Sequence, residues 1–229
     1  MGGAGIANVI IVAGGKGLRM GSGISKQYMK LNGEYIIFHT IKKFEDCPLI
    51  RDVIVVVANE HYDFFMTEIA GCFRKVKKIV VGGSTRQESV WEGLKSTSDD
   101  TDIVLVHDAV RPFVKNEHIV KIIKEAYLHK SCVMGVKVKD TIKTSESDFV
   151  TETLNREKLY AIQTPQAFVY RMIIDAHKKA ICDEYVGSDD SVLVERMGIK
   201  TKIVEGSYCN IKITTPEDLI YGELLQSQL

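Results

Sequence analysis

Short apolar runs recur along the first half of the chain, and the stretches between them carry apolar residues at helical spacing. Residues 9–13, 53–58, 79–81 and 103–107 are rich in β-branched side chains and bounded by glycine or charge, which predicts buried strands. Residues 36–44, 87–94 and 117–127 predict helices. In the last of these, Ile119, Ile122, Ile123, Ala126 and Tyr127 share one apolar face. Such alternation predicts an α/β fold, a doubly wound, mostly parallel sheet covered on both faces and joined by right-handed crossovers.

The rhythm breaks at about 139–156. Thr141-Ile-Lys-Thr, a polar turn at Ser145-Glu-Ser-Asp148, and Val150-Thr-Glu-Thr-Leu154 predict a β-hairpin with little core of its own. Two strands alone are marginal, so this arm must lean on something, either a second subunit or the body of its own chain. Further on, Thr215-Pro-Glu-Asp-Leu predicts a helix start, with Thr215 at the N-cap, Pro216 in the first turn and Asp218 three residues after the cap. Without internal repeats or Pro/Gly-rich linkers, residues 1–229 are expected to form one domain.

Composition narrows the function. Hydrophobic residues are 45% and charged residues 26% of the 229, a globular balance. Lys+Arg and Asp+Glu both number 30, so a general nucleic-acid or membrane-surface binder, which needs a basic surplus, is not expected. Charge is nonetheless uneven. No Asp or Glu precedes Glu34, yet Lys16, Arg19, Lys26 and Lys30 do, a local surplus suited to a small polyanion. Cys47, Cys72, Cys132, Cys182 and Cys209 are scattered, odd in number and without C-x-x-C spacing, which predicts reduced packing cysteines and neither a zinc site nor a disulfide framework. The start lacks a signal-peptide pattern, Ile6 breaks the myristoylation pattern, and the apolar runs are too short to span a bilayer, so a soluble cytoplasmic protein is expected.

Candidate chemistry clusters where predicted strands end. The first strand runs into Gly14-Gly15-Lys16-Gly17-Leu18-Arg19-Met20. Ligands of α/β sheets bind at the carboxyl edge, where glycine lets backbone N–H groups approach phosphate and cations add charge. No Walker A motif is present, and the dinucleotide motif starting at Gly15 fails at Met20. Gly82-Gly83-Ser84-Thr85-Arg86-Gln87-Glu88-Ser89 opens a helix and suits either the reading of a base edge or an ordinary strand-to-helix turn. Asp108 closes a strand, where it suits either Mg²⁺, a hard ion preferring oxygen ligands, or a cap. Lys212 falls between apolar neighbours on a predicted short strand, where it points to solvent or balances charge beside Asp108. His39, His61, His118, His129 and His177 stand singly and are read as structural or solvated, without partners.

Taken in order from Ile10 to about Leu225, these segments resemble the 2-C-methyl-D-erythritol 4-phosphate cytidylyltransferases of the non-mevalonate isoprenoid pathway. Asp140-Thr-Ile-Lys143, Leu154-Asn-Arg-Glu-Lys-Leu159, Gln163-Thr-Pro-Gln166, Ser188-Asp-Asp190 and Asn210-Ile-Lys-Ile-Thr214 add to the motifs above. The resemblance implies a Rossmann-like nucleotidyltransferase fold with a protruding β-arm. It also implies transfer of a cytidylyl group from CTP to a small sugar-alcohol phosphate, with Mg²⁺ as cofactor. Ala13, Gly14, Gly15, Lys16, Gly17, Gly83, Ser84, Arg86, Ser89 and Ala109 match the nucleotide site. Arg19, Lys26 and Lys212 match the groups that neutralise the reacting phosphates, and Asp108 matches the metal ligand. Arg111, Thr141, Arg156, Thr164 and Ser188 match the acceptor site, with Thr141 and Arg156 reaching it from the partner subunit of a homodimer. The family commonly has Thr at position 188 and Asp at 155; this chain keeps the hydroxyl at Ser188 and replaces the carboxylate with Asn155.

Two alternatives share parts of this pattern. Ribitol-5-phosphate cytidylyltransferases use the same fold and nucleotide, but Asp140-Thr-Ile-Lys143 and Asn155-Arg-Glu-Lys-Leu159 favour methylerythritol phosphate. A dinucleotide-binding oxidoreductase or regulatory nucleotide-binding module would need a third glycine after the first strand and an acidic residue ending the second, where Ala58 stands.

Overall fold

The computed structural model describes residues 6–14 and 25–227. Its central sheet joins β1 (Ala7–Ala13), β4 (Ile50–Val57), β5 (Val76–Val81), β6 (Ile103–Asp108), β7 (Ser131–Lys137), β10 (Tyr160–Val169) and β11 (Lys202–Glu205) in the order β11-β7-β10-β6-β1-β4-β5. β1 pairs in parallel with β4 and β6, β4 with β5, and β7 with β11. β10 enters antiparallel between β6 and β7. The four predicted strands are all present. The predicted 79–81 strand is longer, beginning at Val76, and is not buried, because it is an edge strand and its early lysines are exposed.

Alternation along the central strands divides the core in two. Val9 and Ile11 of β1, with Val53, Val55 and Val57 of β4, pack under α1 (Ile36–Glu45), α2 (Tyr62–Glu68) and α4 (Asn116–His129). Ile10, Ile54 and Val56 point the other way, onto α3 (Arg86–Ser96), α5 (Tyr170–Cys182) and α6 (Ser191–Glu195). This two-sided burial is why the strands read as unbroken apolar runs. A smaller cluster of Leu31, Ile36, Val110, Phe113 and Ile213 lies near the short hairpin β2 (Lys30–Leu31) and β3 (Glu34–Tyr35) and is backed by α7 (Pro216–Ser227). The start of α7 is as expected: Asp218 N donates to Thr215 Oγ1 at 3.4 Å, and Thr215 N donates to Asp218 Oδ2 at 2.9 Å.

The arm is β8 (Lys143–Glu146) paired with β9 (Phe149–Thr153). The turn is narrower than the polar run suggested: Ser145 and Glu146 still pair, and the bend falls on Ser147 and Asp148, with φ of 48° and 68°. Two successive residues with positive φ match the right-handed twist of the strands they join. Residues 210–214 are a second departure, since they form no strand. Ile211 and Ile213 alternate as in a strand because they pack into the small third cluster, and Ile213 N donates to Val110 O at 2.9 Å. Among the described residues no helix is long and apolar enough to cross a membrane.

Candidate active site

β1, β4, β5 and β6 all end on one edge of the sheet, and a cavity of about 460 Å³ opens there. Ala13, Gly14, Gly83, Ser84, Arg86, Ser89 and Ala109 line it, together with Lys26, Asp108 and Lys212. Gly15, Lys16, Gly17 and Arg19 lie outside the described residues. Close packing explains the small residues after β5. A Cβ on Gly82 would lie 2.6 Å from Ser89 Oγ, and one on Gly83 would lie 2.3 Å from Glu88 Cβ, so the first turn of α3 can seat against the strand end only over glycine. That turn is capped from both sides. Glu88 N donates to Thr85 Oγ1 at 3.1 Å, while Ser84 N donates to Glu88 Oε2 at 2.7 Å. Ser89 Oγ is already a donor to Thr85 O at 2.9 Å, so toward a further partner it can serve as an acceptor. Across the cavity, Gln27 Nε2 donates to Ala13 O at 2.7 Å and anchors the segment that carries Lys26.

A second cavity, about 150 Å³, adjoins the first and is lined by Arg111, Thr164 and Ser188. Arg86, Asp108 and Lys212 line both. Asp108 is the hub. Lys212 Nζ lies 2.7 Å from its carboxylate, Arg86 Nε 3.3 Å and Arg111 Nε 3.8 Å. Thr164 Oγ1 accepts from Asp108 N at 3.0 Å, which ties the two cavity walls together. Burial by itself would raise the Asp108 carboxyl, but Arg86, Lys212 and Arg111 outweigh it and hold the group well below the usual carboxylate range. Burial likewise opposes the charge on Arg86, yet Asp190 and Asp108 keep it above the ordinary guanidinium value. Neighbouring His107 is pushed down to about 4 by burial and is neutral at pH 7.

Thr141 and Arg156 do not join this cluster within one chain. Both are exposed on the arm, where Arg156 Nη1 donates to Lys139 O at 3.2 Å. Sequence reasoning also missed several roles. Asn210 is fully buried: its Nδ2 donates to Thr164 O at 2.9 Å, and its own carbonyl accepts from Arg111 Nη1 at 2.8 Å. Four of the five histidines read as standing singly are not without partners. His177 Nε2 lies 3.5 Å from Asp190 Oδ1, His61 Nε2 is 2.8 Å from Ser25 Oγ, His39 Nε2 is 2.9 Å from Leu31 O, and His129 Nε2 is 3.3 Å from Glu125. Among the described residues, no three His, Cys, Asp or Glu side chains form a ready-made metal cage.

Known proteins match this chain along nearly its whole length. The family model for IspD, 2-C-methyl-D-erythritol 4-phosphate cytidylyltransferase, matches residues 7–228. The enzyme of that name from Caldanaerobacter subterraneus is 45% identical over 95% of this chain and 97% of its own. The one from Clostridium botulinum is 46% identical over 96% and 99%. The crystal structure of 4-diphosphocytidyl-2C-methyl-D-erythritol synthase from Anaerococcus prevotii superimposes with a TM-score of 0.87 at 33% identity, covering 98% of this chain and 97% of that one. By sequence and by fold alike, the chain belongs to the 2-C-methyl-D-erythritol 4-phosphate cytidylyltransferase family.

Proposed function

We infer that this chain transfers the cytidylyl group of CTP to 2-C-methyl-D-erythritol 4-phosphate in the cytoplasm, giving 4-diphosphocytidyl-2-C-methyl-D-erythritol and pyrophosphate. The observation that carries the reading is the junction of two cavities at Arg86, Asp108 and Lys212: one site for a nucleotide, one for a second phosphate, and cations where they meet. In this reading Ala13, Gly14, Gly83, Ser84, Ser89 and Ala109 hold the nucleoside end. Gly15, Lys16 and Gly17 wrap the triphosphate, and Arg19 and Lys26 neutralise it. Arg111, Thr164 and Ser188 hold the acceptor phosphate.

An oxygen of the acceptor phosphate attacks the α-phosphorus of CTP, forming the new phosphoanhydride. The bond from that phosphorus to the oxygen bridging to the β-phosphate breaks, and its electron pair leaves with pyrophosphate. A phosphate monoester is mostly ionised at neutral pH, so the step needs orientation and charge compensation and no strong base. Lys212 lies beside the α-phosphate in this arrangement. Mg²⁺ fits the donor set as well. Asp108, which lines both cavities, would hold this hard ion together with substrate phosphates, and the ion would supply compensation of their charge. The exposed arm, carrying Thr141 and Arg156, serves the acceptor site of a second copy in a homodimer.

Pyrophosphate release with CTP, Mg²⁺ and methylerythritol 4-phosphate tests the assignment, with ribitol 5-phosphate run in parallel. Release with the first acceptor alone is expected. Release with ribitol 5-phosphate alone would move the acceptor assignment, and release with neither would remove it.

A further inference from the structure

Behind the three residues shared by the cavities sits another charged group. Asp190 is 1% exposed and lines neither cavity. Its Oδ2 accepts from Arg86 Nη1 at 2.8 Å, a shorter contact than the 3.3 Å from Arg86 Nε to Asp108. We propose that Asp190 is a positioning residue for cytidylyl transfer, clamping Arg86 so that its guanidinium meets Asp108 at the junction of the two cavities. The inference rests on the reading of the reaction given above.

Three features make Asp190 the fixed end of this chain of contacts. His177 stands 3.5 Å from Asp190 Oδ1, and its ring stacks on Trp91 at 6.0 Å and 12°, so the carboxylate is backed by α5 and α3 together. The preceding residue is tied down separately: Asp189 Oδ1 accepts from Val192 N at 3.1 Å, and Asp189 Oδ2 accepts from Gln166 Nε2 at 2.8 Å. Asp190 is also two positions from Ser188 in the acceptor cavity, so the clamp joins the acceptor wall to α3, whose first residue is Arg86.

The partners of Asp108 differ in this respect. Asp108 is shared among three cations, each of which faces a competing anion when phosphates enter. A long, flexible Arg held at one end alone would swing toward whichever phosphate arrived first. Held by two carboxylates through different nitrogens, its planar fork keeps one orientation. The clamp therefore acts on alignment at the reacting centre more than on the affinity for either substrate, so its loss should fall on kcat.

The test compares wild type, Asp190→Asn, Arg86→Gln and the double variant in steady-state pyrophosphate release. Asp190→Asn keeps the size and one acceptor oxygen but removes the charge. It is expected to lower kcat by up to about a hundredfold, as misplacement of a reacting group does, with KM for CTP and acceptor within about threefold. If Asp190 acts through Arg86, the double variant is no slower than Arg86→Gln beyond about threefold; losses that multiply would overturn the proposal. Should Asp190→Asn fail to fold, Arg86→Lys decides the matter, because it keeps the charge without a fork to span two carboxylates. Activity as low as that of Arg86→Gln is expected, and wild-type kcat in Arg86→Lys would overturn the clamp. A silent wild type would instead remove the reading of the reaction itself.

Discussion

At the carboxyl edge of the sheet, Asp108 is 7% exposed and touches three cations; on the arm, Phe149 is 78% exposed and both strands lie open to solvent along their length. The cleft is held by the parts beneath it, since every residue of β6 is buried and α3 seats its first turn on glycine. The arm is held by its own ladder, reinforced by contacts such as Thr144 Oγ1 to Thr151 Oγ1 at 2.8 Å. The difference teaches where preorganisation resides. Charges in the cleft are fixed before any ligand arrives, which is what electrostatic stabilisation of a phosphoryl transfer requires. Thr141 and Arg156 are exposed, and in the reading proposed above they gain comparable order against a second copy.

The sharpest way to break this contrast is at its hub. Asp108→Asn removes the counter-charge of three cations and the proposed Mg²⁺ ligand, and should slow turnover about a hundredfold. Pyrophosphate release at limiting Mg²⁺ checks this, and near-normal rates there would strip Asp108 of its metal role.

The arm yields to a different experiment. Arg156→Ala should weaken acceptor binding about tenfold, the order expected on losing a charge-assisted contact, and leave CTP binding unchanged. Mixing Arg156→Ala with Asp108→Asn before refolding should then give about a quarter of the wild-type rate at acceptor concentrations well below KM, since half the symmetric pairs are mixed and each mixed pair has one intact site. An unrestored mixture would return the arm to the body of its own chain.

How much of this was legible follows the same division. Local signals survived: the capping pair Thr215 and Asp218, the hairpin, and the four strands, three of them buried, all stand in the sequence as spacing or alternation. Non-local pairing did not. β10 slips antiparallel between β6 and β7, and nothing in its own pattern says which strands it will join. His177 looked solitary because Asp190, its neighbour in space, is thirteen positions away and belongs to a different motif. The strand around Lys212 was misread for a related reason, although its place beside Asp108 was not. Alternating Ile211 and Ile213 signal burial on one side, and that burial comes from a side cluster instead of a ladder.

The cleft's dependence on close packing can be sharpened through Gly93, on the buried face of α3. A Cβ there would lie 2.5 Å from Ile10 Cγ2 and 3.1 Å from Val56 Cγ2, both on strands of the core. Alanine gains about 1 kcal/mol of helix propensity, whereas overpacking of fixed core methyl groups costs about 1–3 kcal/mol. Gly93→Ala should therefore lower stability by about 1 kcal/mol, read in a denaturant melt. An unchanged midpoint would mean that α3 can slide, and the cleft would be less rigid than its contacts suggest.

The smallest effect belongs to the tip of the arm. Asp148 sits at φ 68° in the turn between β8 and β9, a region glycine enters without a Cβ penalty. Asp148→Gly should stabilise the hairpin by up to about 1 kcal/mol, because the relief in the folded turn exceeds glycine's extra freedom in the open chain. The arm shares none of the three buried clusters, so the global melt should not move. The gain should appear only as slower amide hydrogen exchange along residues 143–153. A shift in the global melt would show that the arm unfolds together with the body of its own chain, and the contrast between a supported cleft and a self-supported arm would be lost.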